Sequence, residues 1–237
     1  MSRKWLEDCA NSHHGYRTPS RLISVAEKDN VEKGRLILTK ILRANEPWVA
    51  LSYCWSGLQP IQTTKRSIQA HRSSISIDSL PATLRDAVYV AGKLGQRYLQ
   101  IDCLYIVQDD EHDKAQEISK MPAIYGGATL TIVAASAESC TNGFLHDRAV
   151  YEPSMAIPTL LSESQKSVAE LVSIRHMEIG SEPVDTRGWT YQERILSKRI
   201  MSFGTSEITY SCLTKTKTER SFNSGDEGSL GISVSNE

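Results

Sequence analysis

One acidic side chain stands where acids are seldom placed. In Asp185–Phe203, DTRGWTYQERILSKRIMSF, the spacing predicts a helix running into a strand, with Asp185 accepting from the free amides of the first turn and Thr186 as the fallback cap. Trp189, Glu193, Leu196 and Ile200 follow at intervals of four, three and four, so they share one side of that helix. If the side is buried, ionised Glu193 needs a partner or its pKa must rise. Arg187 and Arg194 project roughly opposite and are poor partners for it. A carboxylate held this way is what a cleft would use. The plainer reading is that Glu193 sits at the margin of the stripe and reaches water.

The other candidates carry less. Asp102 follows the short apolar pattern Tyr98–Ile101 and either meets a ligand or caps its loop. Ser52, Tyr53 and Trp55 lie in SYCWSG, which ends the apolar run Trp48–Tyr53. The acidic run Gln108–Asp113 reads as a solvated loop, with nothing to motivate magnesium. Cys9, His13 and His14 offer three metal ligands without a fourth, so no metal site is expected. Cys54 and Cys103 have no histidine in a recognisable partner context and make poor nucleophile candidates.

The elements that must position these residues alternate. Arg21–Ala26 and Gly34–Leu42 suggest a hairpin at the edge of the main domain. Trp48–Tyr53 reads as a buried strand. After Ser79-Leu80-Pro81 a helix presents Leu84, Ala87, Val88, Ala91 and Leu94 to the core, and Gly95 ends it. Tyr98–Ile101 is a second strand with Asp102 at its carboxyl end. A second helix, about Asp113–Tyr125, would bury Ala115, Ile118, Met121 and Ile124 or Tyr125, with a kink or stop at Pro122. Gly126-Gly127 breaks the chain before the strand Thr129–Ala135. Ser136–Glu182 is an expected insertion with one or two strands near Ala169–Arg175. The strand Ile200–Phe203 and an edge strand, Glu207–Cys212, complete the sheet, and a disordered tail is expected from Thr214. Such alternation implies an α/β fold: a parallel sheet with helices on both faces and its ligand site at the carboxyl ends of the strands.

Composition narrows the class. The chain of 237 residues is 40% hydrophobic and 23% charged, enough for one large domain with a real core. With a formal net charge of -1 and no basic block, nucleic acid is not the default partner. No apolar run approaches the roughly eighteen residues a membrane span needs. The opening stretch MSRKWLEDCANSHHGY has no apolar core of the kind a signal peptide carries, and the five cysteines are widely spaced without a CxxC pair. A cytoplasmic protein is expected.

Three segments together resemble a known family. VALSYCWSG, then LPATLRDAVYVAGKLGQRYLQIDCLYIVQDD with EISKMPAIYGGATLTIVAAS, then DTRGWTYQERILSKRIMSF, are similar to the fungal heterokaryon-incompatibility (HET) domain, in its order, from about Trp48 to Phe203. The resemblance implies a TIR-like (Toll/interleukin-1 receptor), flavodoxin-like fold over residues 46–212, preceded by an extension (1–45) and followed by the tail (213–237). It implies a role in cell death when genetically different fungal cells fuse. In catalytic TIR members a W-x-x-x-E helix supplies the glutamate that cleaves NAD. Trp189–Glu193 has that spacing, and Ser52-Tyr53 matches the strand end. The resemblance therefore implies Glu193 as the catalytic residue of an NAD glycohydrolase active on self-association, with Ser52, Tyr53, Trp55, Asp102, Arg187 and Trp189 around NAD. The alternative it leaves is a non-enzymatic assembly module. The chain departs from the family at Gln100, where a tryptophan is usual, at Asp102-Cys103-Leu104-Tyr105-Ile106, where D-S-L-C-I is usual, and at Ser56, inserted within W-G.

Overall fold

The computed structural model describes residues 19–25, 33–42, 46–57, 59–148, 156–157, 172–173 and 181–219. Cys9, His13 and His14, most of the Ser136–Glu182 insertion and residues 220–237 of the expected tail lie outside them.

The apolar run at Trp48 becomes β3 (Val49–Ser52), in which every residue is buried. Its alternation sorts two cores. Val49, Leu51 and Tyr53 join one cluster with Leu84, Val88, Ile132 and Phe203, whereas Trp48 and Ala50 join Leu22, Tyr98 and Tyr125 on the opposite face. A strand with both faces covered belongs at the middle of a sheet.

Around it the chain runs β1 (Arg21–Ser24), β2 (Lys33–Leu38), β3, α1 (Ile68–Ser73), β4 (Ile75–Ser76), α2 (Ala82–Lys93), β5 (Tyr98–Gln100) and α3 (Asp102–Tyr105). Then come α4 (Glu111–Ser119), α5 (Met121–Gly127), β6 (Leu130–Val133) and a small ribbon, β7 (Ala156–Ile157) with β8 (Val172–Ser173). A 3-10 turn (Pro183–Thr186) leads into α6 (Gly188–Leu196), β9 (Arg199–Phe203), β10 (Ile208–Cys212) and β11 (Thr216–Thr218). The nine-stranded sheet has the order β11-β10-β9-β6-β3-β5-β1-β2-β4.

The α/β architecture with helices on both faces is as expected, but the sheet is mixed rather than parallel. Among the described residues only β3 with β5, β3 with β6, and β6 with β9 run parallel. In chain order these four stand second, first, third, fourth, the doubly wound arrangement whose direction switches beside the first strand. The expected hairpin forms, β1 pairing antiparallel with β2, but it is built into the sheet: β1 also pairs with β5, and β2 with β4. At the other end β11 pairs with β10, so Ile208–Cys212 is not the edge and the sheet continues past Thr214.

Helix α2 matches its expectation. Leu84, Ala87, Val88 and Ala91 are buried, Pro81 precedes the first turn, and Gly95 follows with φ 71°. The next helix does not. It breaks at Lys120 into α4 and α5, with Pro122 in the first turn of α5. Ile118, expected inward, is 45% exposed, while Glu117 is buried. Ion pairs set this rotation: Arg21 Nη2 lies 2.5 Å from Asp113 Oδ2, and Lys120 Nζ 2.9 Å from Glu117 Oε1. Nor is the acidic run a plain loop, because Asp110 caps α4, accepting from the amides of His112 and Asp113. No helix among the described residues is long and apolar enough to cross a membrane.

Candidate functional site

The site lies at the carboxyl ends of β3 and β5, on the face covered by α5 and α6. Parallel pairing sets Ala50 opposite Gln100, so continuing the register brings Ser52 beside Asp102 on the same face. Ser52 and Gln100 are fully buried, and Asp102 is half-buried as the first residue of α3.

Glu193 reaches this row from α6. Thr190, the buried residue of that helix, donates from Oγ1 to the carbonyls of Val184 (2.5 Å) and Arg187 (2.7 Å). At the far end Ser197 Oγ donates to the Glu193 carbonyl (2.7 Å) and lies 2.6 Å from Thr131 Oγ1 on β6. These bonds seat the helix with Thr190 down. The expected stripe is therefore rotated: Trp189 is 72% exposed, and Glu193 lies on the flank that turns in toward the sheet. Asp185 does not cap α6; it accepts from the Glu182 amide within the 3-10 turn and pairs with Arg194. Arg187 takes the N-cap position without a side-chain cap bond.

The electrostatics are those of two carboxyls sharing one partly desolvated place. Burial, then the charge of Asp102, pushes Glu193 up to about 8, against the pull of the Ser52 and Tyr125 hydroxyls. Burial pushes Asp102 up to about 7, against its hydrogen bond from Gln100 Nε2. Two carboxyls so placed cannot both ionise freely, so at neutral pH the pair retains a proton. Tyr125, fully buried, donates its hydroxyl to the Leu51 carbonyl at 3.1 Å. Glu193 Oε2 and Gln100 Oε1 are inaccessible to solvent and complete no hydrogen bond. Unsatisfied polar atoms gathered at a strand terminus suit a ligand better than they suit a core.

Of the residues anticipated from sequence, Ser52, Asp102 and Glu193 meet here. Trp55 and Arg187 meet each other, since Arg187 Nη1 donates to the Trp55 carbonyl in the loop after β3. The Trp55 ring is half-buried, with Nε1 unpartnered. Tyr53 and Trp189 do not join. Strand alternation sends Tyr53 to the opposite face, where its hydroxyl lies 3.4 Å from Gln59 Oε1, and Trp189 faces solvent. Gln100 and Tyr125 were missed. A glutamine inside a buried three-residue strand, YLQ, was the available signal for the first; Tyr125 reads from sequence only as core.

Burial raises the thiol of Cys54 despite nearby Arg187, and pushes that of Cys103 up to about 12, so neither is poised as a thiolate. Among the described residues no cluster of three His, Cys, Asp or Glu could hold a metal.

Residues 48–193 match the family model described as heterokaryon incompatibility protein (HET). No curated protein and no solved structure matches the chain. The matched segment runs from the start of the central strand to the carboxylate on α6, and through it the chain belongs to the heterokaryon incompatibility (HET) family.

Proposed function

We propose that this HET protein hydrolyses the N-glycosidic bond of NAD to nicotinamide and ADP-ribose, from a TIR-like domain that acts in fungal cell death when self-associated. The observation that carries the reading is the desolvated Glu193–Asp102 pair at the carboxyl ends of the parallel strands, ringed by unpartnered polar atoms. The second-first-third-fourth order of the parallel strands supports the fold.

Glycosidases commonly pair an acid with a nucleophile or base, because the leaving oxygen must be protonated. Nicotinamide in NAD is already a cation and leaves as a neutral ring, so no acid is required. What the site must supply is negative charge against the oxocarbenium-like ribose, in a place where charge is poorly screened. A cation docked beside the pair favours ionisation of both carboxyls. Glu193 then faces the developing charge and Asp102 reinforces it. With Trp189 turned to solvent, Trp55 is the ring available to stack on the pyridinium, a contact worth roughly 0.5–2 kcal/mol. Arg187, at the start of α6, adds a guanidinium beside free helix amides that suit a phosphate.

A second observation favours an assembly surface. Trp189, Tyr191 and Ile195 of α6 are each more than 60% exposed. A non-enzymatic signalling module would use the same surface. Incubating purified protein at several concentrations with NAD and following nicotinamide release separates the readings. Release that climbs steeply with protein concentration supports an enzyme switched on by assembly, and none at any concentration leaves the module.

A further inference from the structure

We infer that Gln100 is a specificity-determining residue, whose side-chain carbonyl accepts a hydrogen bond from a hydroxyl of the sugar held against Glu193. The inference rests on the glycohydrolase reading for the identity of that sugar. It does not rest on cleavage taking place.

Geometry fixes which end of the amide faces the ligand. Asp102 Oδ1 takes a hydrogen bond from Gln100, and only Nε2 can donate one. Oε1 is thereby turned away from Asp102, fully buried and without a partner. A buried amide oxygen left unsatisfied is costly, and a ligand donor is the group that would relieve it.

The unpartnered atoms there point to one class of ligand group. Ionised Glu193 Oε2 and Gln100 Oε1 can only accept. A place so rich in acceptors repels phosphate and suits a neutral group with several donors at adjacent positions, such as the vicinal hydroxyls of a ribose. No aliphatic side chain at position 100 offers this acceptor, and the tryptophan usual there in the family has an indole that only donates. Discrimination for hydroxyls at this point is thus a property of this chain's own residue.

The test uses the full chain and two NAD analogues in which a methylene replaces the ring oxygen of the nicotinamide-side ribose, so the bond is not cleaved. One keeps both ribose hydroxyls and the other lacks them. Calorimetry on the wild type should show the hydroxylated analogue binding at least about tenfold tighter. Gln100→Met, close in length but without an acceptor, should reduce that ratio severalfold. A merely structural role would weaken both analogues alike and leave the ratio unchanged. Gln100→Asn, which keeps the amide and withdraws it by one methylene, should also reduce the ratio and serves if the Met variant does not fold. An unchanged ratio in the folded variant overturns the inference, as does a wild type that binds neither analogue or both equally. Nicotinamide release by the wild type is scored separately. Release with an unchanged ratio removes Gln100 and keeps the glycohydrolase; a reduced ratio without release does the opposite.

Discussion

The charge of Asp102, brought in at the end of β5, helps hold the proton on Glu193 of α6. Burial is the larger cause for both carboxyls, and for Glu193 the charge of Asp102 adds to it.

That relationship has a consequence for stability. Both acids have folded-state pKa values, about 8 and about 7, above the ordinary values of 4.5 and 3.8. The folded state therefore binds more protons than the unfolded state between about pH 4 and 8, and stability falls as pH rises through that window. The thermal midpoint of the wild type should decline from pH 5 to 8 and flatten above it. Glu193→Gln removes one titration and should decline less steeply. Parallel curves for the two proteins would show that the pair is not desolvated.

Activity should run the other way. Ionised carboxyls are needed against a cationic ring, so kcat/KM for nicotinamide release should rise with pH through about 7 to 8 and then level. Asp102→Asn removes the like charge and should shift this rise to lower pH, because Glu193 then ionises more easily. A profile that stays in place would place Asp102 outside the electrostatics of Glu193.

The Arg21–Asp113 pair ties β1 to α4, with side chains 9% and 17% exposed. Arg21 Nε also donates to the Tyr105 carbonyl at 2.5 Å, and Asp113 accepts from the Val107 amide at 2.8 Å. Arg21→Met leaves Asp113 without its cation, and urea denaturation should show a loss of about 3 kcal/mol. A loss below about 1 kcal/mol would mean that the pair behaves like an exposed one.

The exposed apolar residues of α6 give a separable prediction. Trp189→Ser with Ile195→Ser should abolish self-association in sedimentation while the thermal midpoint stays within a few degrees, because both side chains are mostly exposed. A double variant that still assembles would move the interface elsewhere.

The sequence was most legible where one period governed. The apolar strand at Val49 and the α2 face follow from spacing, and the structure places them accordingly. It was least legible where side chains distant in the chain decide. Helix α4 turns Glu117 inward and Ile118 outward through ion pairs with Arg21 and Lys120, which no apolar periodicity encodes. Helix α6 is seated by the hydroxyls of Thr190 and Ser197, so the heavier Trp189 is left outside. The hairpin at one end and the strand Ile208–Cys212 at the other were legible, but not that β1 joins β5, β2 joins β4 and β11 extends the sheet beyond β10, because short alternating runs do not reveal their partners. Gln100 entered the site by register with Ala50, a relation visible only once β3 and β5 pair.

The cleavage of NAD proposed for the Glu193 carboxylate is tested most directly by comparing nicotinamide release by wild type and Glu193→Gln at equal, high protein concentration. The substitution keeps size and removes charge, so release should fall at least about a hundredfold while the variant remains folded. Equal release by the two proteins would contradict the assignment of Glu193, and release by neither would leave the fold as an assembly module.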